Sequence, residues 1–455
     1  MTGLSLCISQ RDRSRALSTS FNSFNHTNEQ VHDEEVRAGA DCALCRLLSF
    51  LILKETFEAE ERAVPAGGVS VPTASRVTYE IAGVCQVIEL IYRCSKEIME
   101  VSFNQVGRDY LRLFCRVSSL ALVYYQGQDE SQVDSNEFNI KASNTILTAV
   151  TKTLSHFARA PSKTIAMANH PRLLPLFVTF IRPSSSGIPF EARRNTLWIL
   201  ANMACCTENM QPMAFHDDHA LLDALIATTN VDFGAVNDSS EMRISQELLQ
   251  SILLQYSAFR CLLNLTWNEG NKILLTERQD LVESIISTLS ILPNRVEGEA
   301  DAESFNTVLR TARRFAIGTL RNLANTPPRQ KVLLCSYQER IILNVLCDAT
   351  EDDRDTVLRD KAFAVIFNLI SSDTANDIIA HPRLLDVLVD AASATTSDTG
   401  TESSSSMSLR SLQSLELLLS EDIPESSHQR LRQALDQVSV ARRLTEIRVD
   451  GPPGR

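Results

Sequence analysis

The sequence predicts an all-α fold in which helical repeats stack into an α-solenoid. Composition is the first reason: among 455 residues, Gly and Pro number 15 each and aromatic residues make up 6%, which suits helices better than sheets. Length is the second, because a chain of this size exceeds the usual single hydrophobic core. The third is AFRCLLNLTWNEGNKILL at 258–275, where an apolar helix carrying Asn264, a polar break and a second apolar helix form a unit that recurs.

The recurrence is visible in five short phrases, each with one polar residue in an apolar setting. They are LSHFA, LANMA, LLNLT, LRNLA and IFNLI, with His156, Asn202, Asn264, Asn322 and Asn368 in the shared position. Successive positions lie 46, 62, 58 and 46 residues apart. Helical repeats of about 40–47 residues match the first and last intervals. The two longer intervals predict inserted loops, at 229–243 and 293–306, where the sequence is polar and acidic.

A second element recurs between these phrases. It consists of an apolar pair, two further residues and another apolar pair, as in LLDALI at 221–226. This spacing places the apolar residues on one face of a helix. Two of these helices follow the tetrapeptide HPRL, which begins at His170 and at His381. Its proline suits a first helical turn, because that turn needs no N–H donor.

Composition along the chain predicts six segments. A Pro/Gly-rich stretch, a polar stretch and a Ser/Thr-rich stretch mark the main boundaries. The segments are a disordered tail (1–30), an amino-terminal helical region of degenerate repeats (31–128), the clear repeats (138–391), a Ser/Thr-rich linker (392–408), two capping helices (409–449) and a second disordered tail (450–455). Terminal helices with a polar outer side are what a repeat array needs at its ends.

Charge and motif content exclude several classes of function. The formal net charge of −12 and the pI near 5.3 argue against nucleic-acid and anionic-membrane binding. No run approaches the roughly 18 apolar residues that a membrane span requires. No GxSxG, P-loop, HExxH or GxGxxG motif occurs in a fitting context. We therefore expect no enzyme activity, no cofactor and no small-molecule substrate.

Eleven cysteines, mostly in apolar helical runs, predict a reducing compartment. We expect a cytoplasmic protein, with access to the nucleus left open. Cys42 and Cys45 have a metal-like spacing but no partner ligands, so a packed helix face is favoured over zinc or redox chemistry. The first 28 residues hold three arginines and one acidic residue and so resemble a mitochondrial presequence; a disordered tail is the favoured interpretation.

Three phrases resemble armadillo repeats of the beta-catenin and importin-alpha type. They are LRNLA at 320–324, NLTWNEGNK at 264–272 and WILAN at 198–202. The resemblance covers about 145–391 and implies an armadillo/HEAT-like right-handed superhelix with three helices per repeat. In that family the third helices line a concave groove, and their Asn side chains bind the backbone of an extended peptide. The chain departs from the family in lacking a Gly-Gly pair before the second helix and a continuous series of Trp residues.

Four Asn residues in register need a reason, because Asn is a poorer interior helix former than Ala by roughly half a kcal/mol. One interpretation is a ladder of amides that satisfies the N–H and C=O groups of an extended ligand. The other is that each amide ties its helix to the neighbouring repeat. The same residues could serve both purposes, and the sequence leaves the two interpretations open.

Charge suggests the ligand. Residues four or eight positions before each Asn share its helix face, and guanidinium groups match carboxylates and phosphates. The predicted peptide-binding residues are Arg194, Trp198, Asn202, Arg260, Asn264, Arg314, Asn322 and Asn368. They predict a non-catalytic scaffold or adaptor that binds an extended acidic or phosphorylated protein segment. An ordinary solvated face is the competing interpretation of the arginines. The alternative function is a regulator of a globular partner, of the exchange-factor or chaperone type, which uses the convex surface and the inserted loops.

Overall fold

The computed structural model describes residues 133–183, 187–231, 246–291, 300–394 and 402–449, with single residues between 111 and 119. These residues form α-helices, one short 3₁₀ helix and connecting turns, and they contain no β-strand. The all-α prediction is thereby confirmed. Both predicted tails, most of the amino-terminal region, Cys42 and Cys45 lie outside the described residues.

Seventeen α-helices are labelled here in chain order. They are α1 (Val133–Phe157), α2 (Pro161–Ala168), α3 (Leu173–Ile181), α4 (Phe190–Met203), α5 (Thr207–Ala214), α6 (Ala220–Thr229), α7 (Gln246–Leu265), α8 (Glu269–Thr276), α9 (Gln279–Ser290), α10 (Ala300–Ala324), α11 (Pro328–Ser336), α12 (Ile341–Thr350), α13 (Thr356–Leu369), α14 (Ala375–Ala380), α15 (Leu384–Ser393), α16 (Glu402–Ser420) and α17 (Glu425–Val449).

The helices follow a repeating order of one short, one intermediate and one long helix. The long helices α1, α4, α7, α10, α13 and α16 pack against one another in sequence. The intermediate helices α3, α6, α9, α12 and α15 form a second row, and the short helices α2, α5, α8 and α11 form a third. Each unit therefore contacts its neighbours along three parallel rows, as expected of a helical repeat array.

The intermediate helices supply much of the core. The apolar pairs that the sequence places on one face are buried, including Leu221, Leu222, Leu225 and Ile226 in α6. Equivalent pairs in α3, α9 and α15 are also buried and belong to the same continuous cluster. Full burial of one such side chain contributes about 1.5–3 kcal/mol. The predicted helix face is confirmed.

Part of the second long interval is helical. The helix α10 begins at Ala300, so the prediction of a loop over 293–306 is wrong for its last seven residues. Phe305, Leu309 and Ala312 share one face of α10 and are buried against Ile252 of α7 in a separate apolar cluster. The first seven residues of α10, a helix of 25 residues, therefore come from the predicted insert, whereas α7 begins at Gln246, after the other insert.

Two other boundaries also differ from those predicted. The helix α16 begins at Glu402, so the predicted linker over 392–408 includes the first turns of a helix. Its Met407 and Ser411 are buried. The Ser-rich composition did not predict this burial, because small polar side chains occur both in linkers and in packed interfaces. The helix α1 begins at Val133, five residues before the predicted start of the clear repeats at 138. No helix in the described ranges is long and apolar enough to cross a membrane.

The turns that lead into the intermediate helices take two forms. In the HPRL turns, Nδ1 of His381 accepts from the backbone N–H of Leu384 at 3.2 Å, and the helix begins at Leu384. The proline therefore precedes the helix instead of occupying its first turn as predicted. Before α6 and α12, three consecutive residues are left-handed, with φ from 39° to 73° at 217–219 and 338–340. The left-handed conformation favours glycine, yet neither turn contains a glycine.

Candidate functional site

The predicted Asn residues lie in a row along the carboxyl ends of the long helices, and three of them bond to the preceding repeat. Nδ2 of Asn264 donates to the carbonyl oxygen of Ala201 at 2.8 Å, and Nδ2 of Asn322 donates to that of Leu263 at 3.3 Å. Nδ2 of Asn368 donates to the carbonyl oxygen of Arg321 at 3.0 Å. In each case the acceptor is the residue immediately before the preceding Asn of the row.

This register shows that the amides link adjacent repeats. Three of the four residues therefore have the structural role considered in the sequence analysis, that of tying a helix to the neighbouring repeat. Asn202 differs, because its Oδ1 accepts from Nη2 of Arg260 at 3.3 Å. Asn322 is 7% exposed, whereas Asn202, Asn264 and Asn368 are half-buried. Half-buried amides of this kind keep a surface that a ligand can contact.

The predicted arginines have unequal partners. Nε of Arg314 lies 2.9 Å from Oδ1 of Asp355, a carboxylate with 1% side-chain exposure that also caps α13. Nη2 of Arg194 lies 2.8 Å from Oε2 of Glu191. Arg260 instead donates to a neutral amide, as described above. Of the three predicted arginines, Arg260 therefore keeps the least compensated charge.

Trp198 is half-buried beneath a cation. Cζ of Arg159 lies 5.6 Å from its ring centroid, and the ring packs against the main core. The equivalent positions in the next repeats hold Arg260 and Gly318. A Cβ at Gly318 would lie 3.4 Å from Leu263 and 3.5 Å from Nζ of Lys361. Leu263 and Lys361 therefore lie against Gly318, where Trp198 has its side chain in the earlier repeat.

A cationic cluster lies beside Gly318, formed by Arg321, Lys361 and Arg314. Nη2 of Arg321 donates to Oδ1 of Asn322 at 3.2 Å, and Nζ of Lys361 donates to the carbonyl oxygen of Arg314 at 2.8 Å. Burial lowers the pKa of Lys361, and the charges of Arg321 and Arg314 lower it further. The acceptors of Arg321 and Lys361 are neutral, and the carboxylates of Asp355 and Asp360 near Lys361 only partly oppose the fall in its pKa.

An open cleft lies beside Asn264, between the carboxyl ends of α4 and α7 and the starts of α5 and α8. Its volume is about 810 Å³, and its lining includes Trp267, Met210, Gln211 and Cys205. Trp267 is 61% exposed, and Nδ2 of Asn264 lies 3.1 Å from Sγ of Cys205. The cleft therefore continues the Asn row with an aromatic and sulfur-containing surface.

The sequence identified the row but not all of its functional groups. Arg321 and Lys361 stand one and seven positions before an Asn, outside the four-and-eight rule that selected Arg260. Trp267 lies in the polar break after Asn264. A large aromatic residue in a polar segment is the sequence feature that could have identified it. Within the described part of the chain, no group of three His, Cys, Asp or Glu side chains is arranged to hold a metal ion.

Comparison with known proteins identifies no relative by sequence. No family model matches the chain, and no curated protein matches it. Among solved structures, the crystal structure of an engineered protein from the Northeast Structural Genomics Consortium is 13% identical, with a TM-score of 0.33. The alignment covers 85% of this chain and 99% of that one. A likeness of this size carries no argument about fold or function.

Proposed function

We propose that the protein is a non-catalytic, armadillo-like interaction scaffold that binds an extended acidic or phosphorylated protein segment along the Asn row. The observation that carries the proposal is the pairing of Arg260 and Arg321 with neutral amides of the row, at 3.3 Å and 3.2 Å. A guanidinium has five donors in a planar fork, so one bond to an amide leaves donors for a carboxylate or phosphate. The row thus offers cations to a ligand although the whole chain is acidic.

The structure narrows the set of residues proposed to bind. Arg314 and Arg194 form ion pairs with Asp355 and Glu191, so each already has an acidic partner within the protein. The basic ligand-binding groups are therefore Arg260, Arg321 and Lys361, and the amides of Asn202, Asn264 and Asn368 contribute polar contacts. Asn322 acts mainly between repeats because it is almost fully buried.

Fluorescence anisotropy tests this proposal with two labelled 12-residue peptides, one carrying four Glu residues and one carrying four Lys residues on a Gly/Ser background. We expect the Glu peptide to bind more tightly, and Arg260→Glu and Arg321→Glu each to weaken its binding about tenfold, since a charge-assisted hydrogen bond is worth about 1.5–3 kcal/mol. Arg432→Glu in α17 is the matched control. Its ion pair with Glu425 is long, at 3.4 Å, and both groups are exposed. Equal binding of both peptides, or of all variants, contradicts the proposal.

One observation favours a second candidate, a regulator that contacts a globular partner through its inserts. The predicted insert at 293–306 includes the first turns of α10, and its Phe305 packs with Ile252 of α7 in a separate apolar cluster. Deleting 232–245 and 292–299 spares Phe305 and the rest of this cluster. In a pull-down with a partner captured by the intact chain, loss of binding after these deletions supports the second candidate, and retained binding supports the Asn row.

A further inference from the structure

We propose that the cleft beside Trp267 binds an aromatic side chain of the same extended segment whose acidic group lies at Arg321 and Lys361. This inference rests on the proposed function and adds a second anchor to it. The ligand would then have two recognition elements of different chemistry, held at neighbouring repeats.

The lining of the cleft suits an aromatic side chain. Trp267 is 61% exposed, the largest exposed fraction among the large hydrophobic residues in the described ranges. Sulfur atoms and aromatic rings attract one another, and Met210 and Cys205 line the same space. Gln211 and the half-buried Asn264 add amide groups at its wall. The volume of about 810 Å³ is within the range of known ligand pockets, about 300–1,000 Å³.

Charge separates the two anchors. Glu269 lies at the cleft but is paired with Nζ of the buried Lys272. The exposed Glu208 follows Thr207, another lining residue, and its carboxylate accepts from the neutral side chains of Cys206 and Thr207. Nearby carboxylates disfavour a second negative charge. The cationic cluster lies on the next two long helices, α10 and α13. An acidic group is therefore repelled from the cleft and attracted to Arg321 and Lys361, which gives the bound segment one orientation.

The geometry also limits the spacing of the two groups. Asn322 bonds Leu263, so Arg321 and Asn264 lie on long helices in direct contact. Packed helices are about 8–10 Å apart, and an extended chain advances about 3.3 Å per residue. We expect the aromatic and acidic residues of the ligand to be about three residues apart.

The test uses fluorescein-labelled 12-residue peptides on a Gly/Ser background. Two carry Phe and phosphoserine three residues apart, one in each order; a third lacks Phe, a fourth lacks the phosphate, and a fifth separates the two groups by eight residues. Of the two peptides with three-residue spacing, we expect the one that binds more tightly to have about tenfold higher affinity than each of the other peptides. Trp267→Ala should abolish the contribution of Phe and leave that of the phosphate, whereas Arg321→Glu should do the reverse.

Leu409→Ala is the matched control for Trp267→Ala, because Leu409 is 54% exposed on α16, away from the cleft. A second readout does not depend on changing Trp267: alkylation of the exposed Cys205 should slow when the Phe peptide is bound. The aromatic anchor is overturned if Phe does not raise the affinity and the peptide does not slow alkylation of Cys205. If the phosphate still raises the affinity in that case, the proposed function stands. If Phe matters but phosphate and Arg321→Glu have no effect, the acidic-ligand function fails and the cleft stands.

Discussion

Nδ2 of Asn322 donates to the carbonyl oxygen of Leu263, the residue immediately before Asn264, at 3.3 Å. The bond joins the ends of two long helices and repeats with the same one-residue offset at Asn264 and Asn368. The last carbonyl groups of a helix have no partner within it. An Asn side chain from the next repeat supplies a partner across the boundary between units and sets their register; the Leu263 carbonyl also accepts from Thr266 Oγ1 of its own repeat.

Asn322→Ala tests this structural role. Asn322 also donates to Oγ1 of Thr266 at 3.0 Å, so its removal breaks two hydrogen bonds, although the Leu263 carbonyl still accepts from Thr266 Oγ1 at 2.6 Å. We expect the free energy of unfolding to fall by about 1–3 kcal/mol. Asn368→Ala should cost less, because Asn368 is half-buried and water can replace its amide. Urea denaturation of both variants measures the difference, and equal losses would contradict the role of burial.

The ion pair between Arg313 and Asp352 joins the long helix α10 to the turn between α12 and α13. Nη1 of Arg313 is 2.8 Å from Oδ2 of Asp352, and their side chains are 1% and 12% exposed. Arg313→Ala leaves a largely buried carboxylate and should cost about 3–5 kcal/mol. Combining Arg313→Met with Asp352→Leu should recover most of the loss. Denaturation of the single and double variants checks this, and a double variant as unstable as Arg313→Ala would refute it.

His381 should make stability depend on pH. Its Nδ1 accepts from the start of α15, and its Nε2 donates to Oδ1 of Asn344 at 3.1 Å, which requires the neutral ring. Burial lowers the pKa of His381 below its ordinary value of 6.5, and Arg383 and Arg340 lower it further.

Because folding favours the neutral form, this stabilisation is complete above about pH 6.5 and declines as the pH falls from there to the lowered pKa. His381→Asn should therefore reduce the slope of unfolding free energy against pH below 6.5. Urea denaturation at several pH values measures that slope, and identical slopes in both proteins would exclude His381 as the cause.

The left-handed turn before α12 should be stabilised by glycine. Glu339 is exposed and has φ 56°, a conformation that costs a non-glycine residue about 1–2 kcal/mol. We expect Glu339→Gly to raise the thermal unfolding midpoint. The same change at Glu416, an exposed residue inside α16, should lower it, because glycine destabilises a helix interior by about 1 kcal/mol. Shifts of the same sign would contradict this account.

The sequence by itself determined the helical class, the repeat and the buried face of the intermediate helices. These follow from local periodicity, because apolar residues at helical spacing must face a core. It also placed the four Asn residues in register. It did not determine the start of α10, because the acidic segment around Phe305 is apolar only on the face that meets Ile252 of a neighbouring helix.

Only the tertiary structure decided which polar groups of the row are already bonded within the protein. Asp355 and Arg314 are 41 residues apart in sequence, and their ion pair depends on the packing of α10 against α13. The same packing leaves Arg321 and Lys361 bonded to neutral groups and joins Asn264 with Trp267 in one cleft. Contacts between repeats depend on how the helices stack. The periodicity within one helical segment therefore does not predict these contacts.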